Sequence, residues 1–235
     1  MRRLLKAELN TIYRKPKLYV FLLILVVLFI AGIIANIFNS KIKPNSFEDF
    51  IYPLFAILII VDISHKEYKY KTMKNLIGSG FSRTTIYFGK FITAIIVSIA
   101  FIIFNKVCEI ISDVIVKDPI TFTTDEMLEM VRSLGMYAII FILCMLIISD
   151  GLSLLAAVIY SIFGKLIIFM LEMFSVLSPV ALKRISLVLL LTSDPKGLDE
   201  KVLVTYPWLW NGLGIILAII LLIAGLEIFK RKEFK

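Results

Sequence analysis

From Leu18 to Phe38 the chain carries no charged side chain, and from Tyr19 to Ala35 nothing more polar than one tyrosine hydroxyl. A helix needs about 20 such residues, within a range of about 17–25, to cross the hydrocarbon core of a bilayer. The run starts behind Arg14-Lys15-Pro16-Lys17 and no small-residue cleavage site follows it, so it reads as a retained span rather than a removed leader. Composition extends the point to the whole chain. Of 235 residues 60% are hydrophobic, and mean hydropathy is +0.94, whereas a soluble domain holds about 45–50% apolar residues. A sphere of this size would have to expose much of that apolar surface to water. Lipid is therefore the solvent, and soluble metabolic enzymes are excluded.

The expectation is an all-α membrane protein, a single transmembrane domain over 1–235 with six transmembrane helices at 18–38, 47–64, 87–108, 134–159, 166–190 and 208–228. The third continues as a more polar helix through Glu109 and Asp113, and the sixth enters through the aromatic belt Tyr206-Pro207-Trp208-Leu209-Trp210. Between Leu134 and Leu191 two parsings compete. A turn at Ser149-Asp150-Gly151 strands Lys165 in mid-membrane; one long span to Ile159 with a turn at Tyr160 to Lys165 buries Asp150 instead. Either charge costs at least about 2.5–3.5 kcal/mol at the bilayer centre. The second parsing is preferred, because it puts Lys165 at an interface. Beyond it, 179–191 is the kinked end of span five or a re-entrant piece.

Lys and Arg number 26 against 18 acids, a net charge of +8. With both termini inside, 17 basic residues are cytoplasmic and nine are outside, as the positive-inside rule requires. Residues 1–16 form an amphipathic helix for the membrane interface: Leu5, Leu9 and Ile12 share a stripe, and Arg2, Arg3, Lys6 and Arg14 project elsewhere. The cysteines Cys108 and Cys144 and the single histidine, His65, give neither a disulfide framework nor a metal-ligand cluster.

The long cytoplasmic loop, 65–86, is the most informative segment. Glu67 through Ile77 contains good helix formers, Gly78-Ser79-Gly80 stops that helix, and Ser82 caps the next, which runs into span three. Met73, Leu76, Ile77 and Phe81 are too apolar for a purely solvated basic loop and suggest docking onto another protein.

Glu67, Thr72, Asn75-Leu76-Ile77, Gly80, Ser82-Arg83 and Gly89-Lys90 resemble the loop between spans two and three of type-2 permeases of ATP-binding-cassette (ABC) exporters. The N-terminal interfacial helix, six spans and the basic tail Phe229-Lys230-Arg231-Lys232 extend the likeness to the whole chain. Lys71 stands where that family usually has Gly, and Gly80-Phe81 where it has Pro, substitutions similar to the bacterial branch that exports antimicrobial or toxic peptides and confers self-immunity. The resemblance implies an elbow helix at the N-terminus and a coupling helix at 68–80. Glu67, Lys71, Thr72, Asn75, Leu76, Ile77, Gly80 and Arg83 would then dock a separate cytosolic ATPase subunit, in two copies beneath two permease protomers. No Gly-x-x-x-x-Gly-Lys-Ser/Thr loop occurs here, so no cofactor is expected in this chain, and ATP and Mg would bind the partner. The expected activity is export of an amphipathic peptide or hydrophobic compound across the plasma membrane.

Ionisable groups within spans are functional candidates by default. Asp150 would line the translocation path, gate it by pairing with Lys165 or Arg83, or simply sit at an interface if span four ends at Ser149. Glu172 would take a gating or protomer-interface role, whereas Asp62 lies at the inner headgroups and Lys106, Glu109 and Asp113 pair among themselves. The alternative is an ion-coupled secondary carrier using Asp62, Asp150 and Glu172, although the two halves share no matching interruption. An intramembrane protease is disfavoured by the single histidine.

Overall fold

The computed structural model describes residues 2–38, 48–69, 72–116, 124–147, 149–160 and 207–231, with Ala181 and Val188. Among these residues the fold is all-helical. In chain order the helices are α1 (Arg2–Tyr13), α2 (Pro16–Phe38), α3 (Glu48–Lys69), α4 (Met73–Gly78), α5 (Arg83–Val116), α6 (Thr124–Leu146), α7 (Asp150–Val158) and α8 (Pro207–Arg231). By length and apolar content Arg83–Ile115 and Gly212–Arg231 can each cross a bilayer, and the α1–α2 pair, bent by 55°, is a third candidate. Apart from Ala181 and Val188, the expected fifth span at 166–190 lies outside the described residues, as do Lys165 and Glu172.

Pro16 sets the bend. It has no N–H for the preceding turn and pushes Lys15 away from helical geometry, so α1 closes at Tyr13 and α2 opens with proline in its first turn. The face of α2 carrying Leu23, Val27, Ile30 and Ile34 is open, as are Ile99, Ile103 and Val114 on α5 and Ile216, Ile219 and Ile223 on α8. Such apolar exposure is stable only against lipid or another protein. Hydroxyls within the helices donate to their own backbone: Ser64 to the Ile60 carbonyl at 2.8 Å, Thr93 to Gly89 at 2.9 Å and Ser98 to Ala94 at 2.8 Å. That satisfies them where water is absent.

The core is centred on α3, α5, α6 and α8, and Tyr87 is its hub. Its fully buried ring packs against Phe141 and Phe229 at centroid separations of 5.7 and 5.5 Å, and its hydroxyl donates to the Leu222 carbonyl at 3.2 Å. Gly225 lets α8 approach this closely: a Cβ there would meet the Tyr87 hydroxyl at 2.7 Å and Ile142 Cγ2 at 2.9 Å. At the same end Arg83, the first residue of α5, donates to the Lys230 carbonyl of α8.

The region after α6 corrects the preferred sequence reading. The helix does not run on from Leu134 to Ile159: α6 stops at Leu146, Ile147 and Ser149 leave the helical path, and α7 starts at Asp150. The chain then folds back. Tyr160 packs with Ile139, Leu143, Ala218 and Leu221; a continuous helix would carry it about 30 Å beyond Ile139 at about 1.5 Å per residue. The Ser149-Asp150-Gly151 turn signal therefore outweighs the penalty assigned to Lys165. Helical backbone also continues through Tyr160, where the alternative turn was expected to begin.

Gly225→Ala will cost about 1–3 kcal/mol through overpacking. Tyr87→Phe in the same chain will recover part of that loss by removing the nearest clashing atom. Thermal unfolding read by a thiol-reactive dye checks both, because Cys108 and Cys144 are buried and reduced until the fold opens.

Candidate functional site

The C-terminal ends of α3 and α8 and the N-terminal ends of α5 and α7 meet α1 and α4 at one end of the bundle, where the informative loop emerges. Lys90 lies two turns past Arg83 on α5 and one past Ile86, with its side chain wholly buried. A lone ammonium there would be strongly destabilising. It is met by the Glu67 carboxylate on α3, by the Ile63 carbonyl at 2.5 Å, and by Glu8 of α1 at 3.8 Å. Glu8 also faces Lys66 at 3.8 Å. Glu8 is 4% exposed and Glu67 3% exposed, so both acids and Lys90 are held away from solvent while Lys66 closes the cluster from a partly exposed position.

The cluster is why α1 docks as it does. The stripe facing inward is Leu4, Glu8 and Ile12, at intervals of four, with Leu5 and Leu9 half-buried beside it. Leu4 presses on Gly89, where a Cβ would meet Leu4 Cδ2 at 2.7 Å. The sequence stripe Leu5–Leu9–Ile12 was thus close to correct but missed the acid at its centre. Burial raises the Glu8 carboxyl above its ordinary value; Lys90 and Lys66 oppose the rise, and the neighbouring Glu67 adds to it.

Two further polar links fasten α3. Lys15, in the α1–α2 bend, pairs with Asp62. His65, 1% exposed, lies 2.6 Å from Ser153 of α7 through Nε2. The Ser153 hydroxyl also lies 2.8 Å from the Ser149 carbonyl, so one hydroxyl links the His65 ring to the first turn of α7.

The loop divides differently from the expected single helix. Glu67, drawn inward to Lys90, belongs to the end of α3; the Thr72 N–H bonds back to the Glu67 carbonyl at 2.9 Å, and only Met73–Gly78 forms the separate α4. Lys71 lies outside the described residues. Met73 is buried, Leu76, Ile77 and Phe81 pack against the core, and Lys74, Asn75, Gly78 and Ser79 face outward. Gly80 takes φ +90°, a left-handed conformation costing other residues roughly 1–2 kcal/mol. Its N–H bonds to the Ile77 carbonyl at 3.0 Å, closing α4. Ser82 Oγ accepts the Thr85 N–H at 3.1 Å and caps α5.

Of the residues named for docking, then, Asn75 and Gly80 are exposed and Thr72, Leu76, Ile77 and Arg83 are half-buried. Glu67 is turned away from the surface. Asp150 is the first residue of α7, in the turn at this same end of the bundle. Glu172 lies outside the described residues. Sequence reasoning gives Glu8 and Ser153 no role, takes Lys90 only as part of the Gly89-Lys90 motif and weighs His65 only as a metal ligand. The available signals were an acid four residues from both Leu4 and Ile12, and a lysine placed inside the third apolar run.

Lys90→Met will cost about 3–5 kcal/mol by leaving the buried Glu67 carboxylate without its cation and Glu8 with Lys66 alone, read by the same thermal unfolding. The pH dependence of α1 has a definite sign. Because its pKa is raised, Glu8 binds a proton more tightly docked than undocked, so docking is favoured in acid and weakens as pH rises from about 4.5 through the raised value. A spin label on the exposed position of Ala7→Cys will become more mobile across that interval, and Glu8→Gln will remove the transition.

The sequence profile described as ABC-2 family transporter protein matches residues 4–172, which include α1 through α7 and the whole ion cluster. No curated protein and no solved structure matches the chain. ABC-2 membrane proteins are transport subunits, and their family implies partnership with an ABC ATPase and the lipid bilayer. The chain belongs to the ABC-2 transporter family, as a multi-pass membrane permease.

Proposed function

We infer that this permease is the membrane half of an exporter driven by a separate ATPase, and that α4 is its coupling helix. One observation carries the reading: α4 presents Lys74, Asn75, Gly78 and Ser79 outward while both stems of its loop are joined behind it by the Glu67–Lys90 pair. A short helix backed in this way moves together with α3 and α5. Lys71, Thr72, Asn75 and Gly80 form the docking face with those neighbours; Leu76, Ile77, Arg83 and Glu67 support it from behind. α1 serves as the elbow helix at the cytoplasmic headgroups.

The turn at 147–149 favours six crossings. α2, α3, α5, α6, the segment opened by α7, and α8 then alternate in direction, leaving both termini on the cytoplasmic side of a bacterial plasma membrane. Two protomers stand above two ATPase subunits, which hold ATP and Mg. ATP binding draws the two coupling helices together, hydrolysis resets them, and the spans rock to move an amphipathic peptide, toxin or antimicrobial, or a hydrophobic compound outward. Asp150 lies at the inner mouth of that path, and Glu172 takes a gating role. A carrier mechanism loses support because Asp62, one of its three acids, is engaged by Lys15.

The test is co-purification with the ATPase encoded beside this chain. Lys74→Glu with Asn75→Trp changes exposed side chains only, so it will abolish the complex while leaving thermal unfolding unchanged. Retention of the ATPase by that variant, or no association with the unaltered chain, overturns the coupling assignment.

A further inference from the structure

At the bend between α1 and α2 an open cleft of about 410 Å³ is lined by Asn10, Thr11, Arg14, Lys15 and Pro16, within the volume range that receives small ligands. The Thr11 hydroxyl donates to the Ala7 carbonyl at 2.7 Å and the Lys15 ammonium pairs with Asp62, so Arg14 and Asn10, both exposed, are the lining residues with donors to spare. Two carbonyls of the lining residues are engaged within the backbone: Asn10 accepts the Arg14 N–H and Lys15 the Leu18 N–H, each at 3.1 Å. Pro16 opens α2 there, adding the positive end of that helix.

Depth relative to the membrane comes from the neighbours. Tyr13 and Tyr19 flank the bend edge to face, centroids 6.0 Å apart, and remain 69% and 48% exposed. Paired tyrosines beside the open apolar face of Val20, Leu23 and Ile24 mark the headgroup layer. Charge then selects the ligand. Arg14 and Lys15 contribute two positive charges and the Asp62 partner of Lys15 removes one. A phosphodiester, with a single negative charge, balances that sum, whereas a phosphate monoester near neutral pH carries about −1.5 to −2.

We propose that this cleft is a binding site for the phosphodiester of an anionic glycerophospholipid, with Arg14 as its main anchor through paired charge-assisted hydrogen bonds. Lys15 is shared between the lipid phosphate and Asp62, so lipid occupancy and the α1–α3 tie compete. The site requires membrane embedding alone and is independent of the substrate or of ATPase docking.

The experiment uses the full chain in nanodiscs of phosphatidylcholine containing stepped fractions of phosphatidylglycerol. Native mass spectrometry counts the lipid retained after detergent release, and unfolding in phosphatidylcholine alone controls for folding. The unaltered chain will retain phosphatidylglycerol over phosphatidylcholine. Arg14→Gln will lower that preference about tenfold, the scale of one lost charge-assisted contact; Arg14→Lys will keep part of it. Asp62→Asn, which releases Lys15, will retain more phosphatidylglycerol and newly retain inorganic phosphate. Equal retention of the two lipids, or an Arg14→Gln chain that folds and retains lipid normally, overturns the site. Displacement of phosphatidylglycerol from the unaltered chain by tens of millimolar inorganic phosphate overturns the lipid as the source and assigns the cleft to a soluble phosphate.

Discussion

A lysine ammonium with no solvent access is the constraint around which the loop end of this permease is built. Lys90 requires opposite charge and hydrogen-bond acceptors within a few ångströms, and no single helix supplies them all. Glu67 and the Ile63 carbonyl come from α3, and Glu8 comes from α1. Meeting that requirement fixes the rotation of α3, the depth of α5 and the seat of α1 together. The same pair closes the segment between residues 67 and 90 into a loop with joined ends. A solvated loop would have two independent stems; this one has a base.

Aromatic packing carries the constraint further into the bundle. Tyr87 lies one turn before Lys90, and its ring contacts Phe141 of α6 and Phe229 of α8. Gly225 admits the close approach, and Arg83 ties the start of α5 to the end of α8. Adjacent positions on one face of α5 therefore organise the ion cluster and the aromatic packing. His65 and Ser153 bring α7 to the same end through a short polar contact.

Much of this was legible in the sequence. Apolar run length located α2, α3, α5 and α8, and Ser82 and Gly80 marked a cap and a turn through their own local chemistry. The ion cluster was harder to read because its members are far apart along the chain. Eighty-two positions separate Glu8 from Lys90, and only packing of α1 across α5 makes them partners. The break after Leu146 was misjudged for a different reason. Both parsings bury one charge at a similar cost, so the interfacial placement of Lys165 decided between them and local turn chemistry received too little weight. The Ser-Asp-Gly turn, a local preference, was the better guide.

The length of α5 has a mechanical consequence. Its 34 residues extend about 51 Å at about 1.5 Å per residue, against a hydrocarbon core about 30 Å thick. One unbroken rod thus begins in the loop base, crosses the bundle and projects past the far boundary. A tilt of about 10° imposed at Arg83 displaces the far end by about 9 Å over that length. The helix converts a small angular change at one face of the membrane into a movement the width of another helix at the opposite face.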